Sequence, residues 1–150
     1  MNPPLRTKAD RDALRKAVAD GTIDIIVTDH APHAPTEKGG GFRRSPFGIV
    51  GIETSVALIY TEMVRTGVIS LLDMVRKMST NPAKVLGIEA GTLNVGAPAD
   101  IAIFDFEHPY RIDPAKFCSK SVNMPFAGRE VYGKTMYTIC GGRIVWEEKA

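Results

Sequence analysis

The chain has 150 residues, enough for one ordinary domain or for one piece of a larger one. Apolar residues make up 44% and charged residues 24%, which predicts a chain that buries a core. The 19 basic and 17 acidic residues form no basic stripe, and no run approaches the roughly 20 apolar residues of a membrane span, so nucleic acid and membrane are excluded as partners. Cys118 and Cys140, without a secretory leader, predict a reducing, cytoplasmic setting.

The first predicted element is a helix. Thr7 and Asp10 have the spacing of a capping box, apolar residues follow at helical spacing, and Asp20-Gly21 supplies a stop. Residues 23–28 (Ile-Asp-Ile-Ile-Val-Thr) then form a short, β-branched and nearly continuous apolar run. Such a run predicts a strand covered on both faces, as in parallel sheets.

Residues 29–48 show no periodicity and contain three prolines and four glycines. A loop of this length inside a compact fold is usually functional. Apolar spacing then predicts a helix over residues 52–63, and Ser70 with Asp73 predicts a cap for another. Asn81-Pro82 predicts a further short turn of helix, because proline fits the first helical position.

From Gly91 onward the sequence changes character. Turn residues separate three runs rich in β-branched and aromatic residues, at 101–106, 135–140 and 143–146. We therefore expect two parts: residues 1–90 as an α/β part, and residues 91–150 as part of a small β unit.

The segment Thr28-Asp-His-Ala-Pro-His33 is the strongest candidate for chemistry. It lies where the predicted strand ends and the long loop begins, which is where α/β barrels build their active sites. An Asp there can ligate a divalent cation and take a proton from an attacking water. From these residues alone, the alternative that Asp29 caps a turn and that the two histidines are structural stays open.

Several segments together resemble the dihydroorotases of the amidohydrolase superfamily, in the longer-chain class related to allantoinases. The most specific are Asn2-Pro-Pro-Leu-Arg6 and Asp29-His-Ala-Pro-His33. Others, in chain order, are Pro46-Phe-Gly48, Gly51-Ile-Glu-Thr54, Asn81-Pro-Ala83, Gly91 through Ala99-Asp100, Ser121 through Gly128, and Thr138 through Gly142.

The resemblance implies a fold and roles for individual residues. The fold would be the carboxy-terminal portion of a (β/α)₈ amidohydrolase barrel, over residues 1–90, plus part of a small β-sandwich domain. Asp29 would be a metal ligand and general acid/base. Asn2 and His33 would contact the substrate, and Phe47 and Gly48 would offer it backbone groups. The implied reaction is the reversible, zinc-dependent hydrolysis of dihydroorotate to N-carbamoyl-L-aspartate in pyrimidine biosynthesis.

Most of the metal ligands implied by the resemblance have no counterpart in the sequence. The family holds one or two zinc ions with a His-x-His pair and further ligands, yet the chain has three histidines, none in such a pair. A complete barrel also needs roughly 250 residues. We therefore expect an incomplete fragment that is inactive alone and prone to aggregate.

Two other functions compete with this one. One is another cyclic-amide hydrolase, such as an allantoinase or a hydantoinase. The other is a non-catalytic dihydroorotase-like partner of aspartate transcarbamoylase. A homodimer, or an association with that transcarbamoylase, is left open for the parent protein.

Overall fold

Helices dominate the first part of the chain, and antiparallel strands follow. The computed structural model describes residues 2–149. The helices are α1 (Lys8–Ala19), α2 (Pro35–Lys38), α3 (Ser55–Ile59), α4 (Leu71–Val75) and α5 (Asn81–Leu86), with π turns at Tyr60–Val64 and Arg76–Thr80 and a 3₁₀ turn at Pro114–Lys116. The strands are β1 (Ile101–Asp105), β2 (Tyr110–Arg111), β3 (Glu130–Val131), β4 (Lys134–Cys140) and β5 (Arg143–Glu147).

Both predicted capping boxes are confirmed. At the start of α1, the Thr7 hydroxyl accepts a hydrogen bond from the backbone N–H of Asp10, whose carboxylate accepts one from the N–H of Thr7. Ser70 and Asp73 make the same reciprocal pair at the start of α4. Each box satisfies backbone donors that the first turn of a helix leaves free.

These boxes make the two helix starts sensitive to acid. Hydrogen bonds from Thr7 and Ser70 hold the pKa of Asp10 and Asp73 below the usual range of a carboxyl group. The stabilisation is therefore complete above the unfolded pKa of about 3.9 and is lost as the pH falls through the lower folded values. We expect the helical circular dichroism signal to decrease as the pH falls below about 3.9. An Asp10→Asn, Asp73→Asn variant should lose less signal over the same pH range.

One long helix runs from α4 through the second π turn into α5, where the sequence predicted two separate pieces. In the π turn, the N–H of Asn81 donates to the carbonyl of Arg76. The carbonyl of Lys77 would need the N–H of residue 82 in the same pattern, but Pro82 has none. The Lys77 oxygen instead accepts a hydrogen bond from the N–H of Ile26, at 3.0 Å.

The prediction of a strand over residues 23–28 is wrong for the described part of the chain. The segment pairs with no strand among residues 2–149. Three of its backbone groups bond to the long helix: besides the Ile26 bond, the Lys77 ammonium donates to the carbonyl of Ile23 and the Asn81 amide to that of Asp24. A strand needs a neighbouring strand to form its ladder, and here a helix takes that place.

The three β runs predicted from the sequence are confirmed as one antiparallel sheet. Its strand order is β1-β4-β5, with Ile101 opposite Ile139 and Tyr137 opposite Glu147. Strands β2 and β3 form a separate two-stranded ribbon, which the sequence did not predict. The ribbon contributes Val131, fully buried, to a core that also holds Val50. That core therefore joins the β unit to the segment after the long loop.

A second core packs the helices, with Val18 of α1, Met63 beyond α3 and Met74 of α4 at its centre. Even so, the accessible surface is 10601 Å², against about 7,500 Å² for a compact monomer of this mass. Exposed apolar side chains such as Leu72 and Val95 contribute to the excess. No helix within residues 2–149 has the length and hydropathy needed to cross a membrane.

Candidate active site

Asp29 lies where the extended segment turns into the long loop. Among the described residues it is the one non-glycine residue with positive φ, at 46°. Aspartate tolerates this left-handed conformation better than most side chains. One residue further, His30 forms a single parallel bridge with Ile49, so the chain on the far side of the loop returns beside Asp29.

An open cleft of about 270 Å³ lies at this point. It is lined by Asn2, Thr28, Asp29, Ala31, Phe47, Gly48 and Ile49. Its size is just under that of small-molecule sites, which run from about 300 to 1,000 Å³. The structure thus brings together four of the five residues proposed from the sequence. Thr28, Ala31 and Ile49 were not proposed as contacts, although the first two lie inside the segment singled out.

Phe47 and Gly48 form part of the cleft wall, and the backbone at Gly48 comes very close to Ala31. This glycine has φ 117°, and a Cβ placed there would lie 2.5 Å from the Cβ of Ala31 and 3.0 Å from its carbonyl oxygen. Its own carbonyl oxygen accepts hydrogen bonds from Lys38 and Asn123. Both lone pairs are therefore used, and the backbone group that Gly48 can still offer a ligand is its N–H.

Three polar side chains anchor the long loop, and sequence reasoning missed them. The Lys38 ammonium donates to the carbonyls of Pro46 and Gly48, both at 2.6 Å. The Ser121 hydroxyl donates to the carbonyl of His33 at 2.8 Å, and the Asn123 amide to that of Gly48 at 2.7 Å. For Ser121 and Asn123, the only sequence feature that pointed to a role was the stretch from Ser121 to Gly128, which resembles dihydroorotases.

His33, the fifth proposed residue, is not among the residues that line the cleft. Its ring is mostly buried, with 24% of the side chain exposed, and its Nδ1 lies 3.6 Å from the Glu37 carboxylate. Its Nε2 lies 3.3 Å from where a Cβ on Gly48 would be. The imidazole therefore lies beside Gly48, between that residue and Glu37 of the long loop.

The donors at the cleft do not make a metal site by themselves. Within residues 2–149 there is no group of three or more His, Cys, Asp or Glu side chains arranged to hold a metal ion. A catalytic zinc needs about three protein ligands. Asp29 can supply one carboxylate, and the Nδ1 of His30 is already engaged by the backbone N–H groups of Gly51 and Ile52.

Two residues outside the cleft have structural contacts. His108 is exposed and its Nδ1 lies 2.8 Å from the Asp105 carboxylate. The Glu53 carboxylate accepts hydrogen bonds from the backbone N–H groups of Cys118 and Ser119. It thereby ties the start of α3 to the segment that follows the 3₁₀ turn.

The sequence profile of the Amidohydrolase family matches residues 3–145. The dihydroorotase of Bacillus caldolyticus is 52% identical over 148 residues, which cover 99% of this chain and 35% of that protein. The dihydroorotase of Enterococcus faecalis is 51% identical over 150 residues, covering 100% of this chain and 35% of that protein. The chain thus spans about a third of the length of these relatives, and the predicted resemblance to dihydroorotases is confirmed.

Solved structures of related hydrolases superimpose on nearly the whole chain. Dihydropyrimidinase from Brevibacillus agri matches with a TM-score of 0.91 at 32% identity, covering 97% of this chain and 33% of that one. L-hydantoinase from Arthrobacter aurescens matches with a TM-score of 0.91 at 32% identity, covering 99% and 34%. The predicted fold class, an α/β portion of an amidohydrolase barrel with part of a small β unit, is confirmed.

Proposed function

The chain belongs to the amidohydrolase family, and we propose that it is part of a dihydroorotase. The reaction is the reversible hydrolysis of (S)-dihydroorotate to N-carbamoyl-L-aspartate in pyrimidine biosynthesis, in the cytoplasm. In this proposal residues 1–90 are the carboxy-terminal part of the hydrolase barrel and residues 91–150 are part of the small β-sandwich domain. The relatives at about 50% identity are named dihydroorotases, which supports this substrate.

One observation carries the proposal: Asp29 lines the same small open cleft as Phe47 and Gly48. A cyclic amide carries donors and acceptors that need fixed partners once it is buried. The Gly48 wall can provide them because Lys38 and Asn123 hold its carbonyl in place.

In the hydrolytic direction, water attacks the ring amide carbonyl, a C–O bond forms and the C–N bond breaks. The Asp29 carboxylate takes a proton from the attacking water and delivers it to the leaving ring nitrogen. In the reverse direction, N-carbamoyl-L-aspartate closes to the ring with loss of water. Asn2 and the Gly48 N–H orient the ring during both steps.

Zinc is part of the proposal for the whole protein. When bound, it would acidify the attacking water and polarise the amide carbonyl. In this chain Asp29 would be the one ligand, and the others would come from elsewhere in a longer polypeptide. The exposed apolar surface described above supports the existence of such contacts. A homodimer, or an association with aspartate transcarbamoylase, belongs to the same proposal.

The main alternative is a hydantoinase or dihydropyrimidinase, because these are the names of the matching solved structures. Dihydroorotate differs from their ring substrates in carrying a carboxylate. In this proposal the Nε2 of His33, which lies beside Gly48, turns toward the cleft and binds that group. A non-catalytic partner of the transcarbamoylase would have no use for Asp29 at a cleft.

The proposal is tested by assaying the full-length protein, loaded with zinc, against dihydroorotate, hydantoin and allantoin. We expect turnover of dihydroorotate in clear preference to the other two. We also expect the 150-residue chain alone to be inactive and to aggregate. Preference for hydantoin would favour the alternative, and a folded, zinc-loaded protein that turns over none of the three would favour the non-catalytic one.

The role of His33 gives a separate prediction. His33→Ala should raise the KM for dihydroorotate about 10- to 100-fold, because a hydrogen bond to a charged group contributes about 1.5–3 kcal/mol. Any slow turnover of neutral hydantoin should keep its KM, since that ring has no carboxylate. His108→Ala, at an exposed histidine remote from the cleft, is the control. Equal changes of KM for the two substrates would show that His33 does not recognise the carboxylate.

A further inference from the structure

His30 links the two chain segments that line the cleft, one around Asp29 and the other around Phe47 and Gly48. Its Nδ1 accepts hydrogen bonds from two successive backbone N–H groups, those of Gly51 at 3.1 Å and Ile52 at 3.3 Å. The residue stands directly after Asp29, and the donating N–H groups, of Gly51 and Ile52, follow shortly after Phe47 and Gly48 in the chain. The imidazole is half-buried, so water competes only in part for these donors.

This contact defines the chemical form of the ring. A nitrogen that accepts from N–H groups cannot carry a proton itself, so Nδ1 is unprotonated and Nε2 carries the hydrogen. Two backbone donors aimed at one point require an acceptor there, since leaving both unpaired in a partly buried place is costly. The side chain at position 30 therefore needs an acceptor atom where the Nδ1 of His30 lies, within hydrogen-bond distance of both N–H groups.

Other contacts around His30 hold residues 28–31 next to residues 49–51. The N–H of Ala31 donates to the carbonyl of Ile49 at 2.9 Å. A Cβ on Gly51 would lie 3.2 Å from the carbonyl oxygen of Thr28, so the two segments already touch. The His30 side chain closes this junction on the side where the chain continues into α3.

We infer that His30 is a positioning residue, which sets the Asp29 carboxylate against the Phe47–Gly48 wall through its Nδ1. This inference rests on the proposed function, because the readout is the geometry of that reaction. A displacement of a catalytic group by about 1 Å can cost about a hundredfold in rate. The two hydrogen bonds to Nδ1 can also be tested by a measurement that does not depend on enzyme activity.

The experiment compares two variants of the full-length, zinc-loaded protein. In His30→Asn the side-chain oxygen can replace Nδ1 as acceptor, and in His30→Phe the ring is kept and the acceptor lost. We expect kcat for dihydroorotate to fall at least tenfold in His30→Phe, with a smaller change in KM. His30→Asn should restore kcat to within a few-fold of the unmodified protein. Amide hydrogen exchange at Gly51 and Ile52 should be slow in the unmodified protein and in His30→Asn, and fast in His30→Phe.

The outcomes separate this inference from the proposed function. If the unmodified protein does not turn over dihydroorotate, the proposed function fails, and amide exchange still tests the contact. Suppose that the unmodified protein does turn over dihydroorotate. The positioning role is then refuted if His30→Phe keeps full kcat, or if His30→Asn is as impaired as His30→Phe. Should His30→Phe fail to fold, His30→Asn and the exchange of the unmodified protein remain decisive. Fast exchange at both amides in the unmodified protein would overturn the inference.

Discussion

Asp29→Asn should reduce the turnover of dihydroorotate by the full-length protein about 10²- to 10⁴-fold, the range contributed by a positioned general acid or base. The amide has nearly the same shape as the carboxylate but cannot take up the proton of the attacking water. Asparagine also tolerates the positive φ of this position, so the backbone should not change. Steady-state kinetics measure the effect, and the circular dichroism spectrum should be unchanged.

The matched control is Asp24→Asn, five positions earlier on the same extended segment. Asp24 is exposed and is held through its backbone oxygen, which accepts from the Asn81 amide. This variant should keep turnover within about twofold, since a surface substitution away from such contacts has little effect. If Asp29→Asn retained turnover similar to that of Asp24→Asn, the carboxylate would have no part in the chemistry.

Gly48→Ala should be the most damaging small substitution in the long loop. A non-glycine residue at φ 117° is strained, at a cost of about 1–3 kcal/mol. Its Cβ would also meet the Cβ of Ala31 at 2.5 Å, and overpacking of this kind costs about 1–3 kcal/mol more. We therefore expect the free energy of unfolding of the full-length protein to fall by about 2–6 kcal/mol in urea denaturation. The turnover should fall as well, because the cleft wall must move.

Gly41→Ala provides the comparison, in the same loop and also at positive φ (72°), but with nothing within 4 Å of the added Cβ. It should cost only the strain, about 1–2 kcal/mol. Removing the facing methyl group with Ala31→Gly should recover part of the loss in Gly48→Ala, which a double-mutant cycle would detect as coupling. Equal losses in Gly41→Ala and Gly48→Ala would show that the close approach to Ala31 is unimportant.

Local patterns were sufficient to predict the features that depend on neighbours in sequence. The capping boxes at Thr7 and Ser70 and the three strands of the main sheet follow from spacing, turn residues and β-branched content. The position of Asp29 at the edge of a cleft was also predictable, because a functional loop follows an extended apolar run. Each of these rests on contacts within a few residues, or on a simple alternation of elements.

Contacts between distant parts of the chain could not be read from the sequence. Asn123 holds the carbonyl of Gly48 across 75 positions, and no local rule links an amide in one loop to a backbone oxygen in another. The apolar run at residues 23–28 has the composition of a strand, yet pairing also depends on a partner. Within the described residues its neighbour is a helix, and composition alone cannot report that.

The proline in the long helix has an effect remote from its own position. Because Pro82 has no amide hydrogen, the oxygen of Lys77 is free to hold Ile26, three residues before Asp29. Any other amino acid at position 82 would place a second N–H donor near that oxygen, even if its side chain fitted without a clash. The backbone chemistry of position 82 thus bears on a contact with a separate segment of the chain, which the size and polarity of its side chain do not reveal.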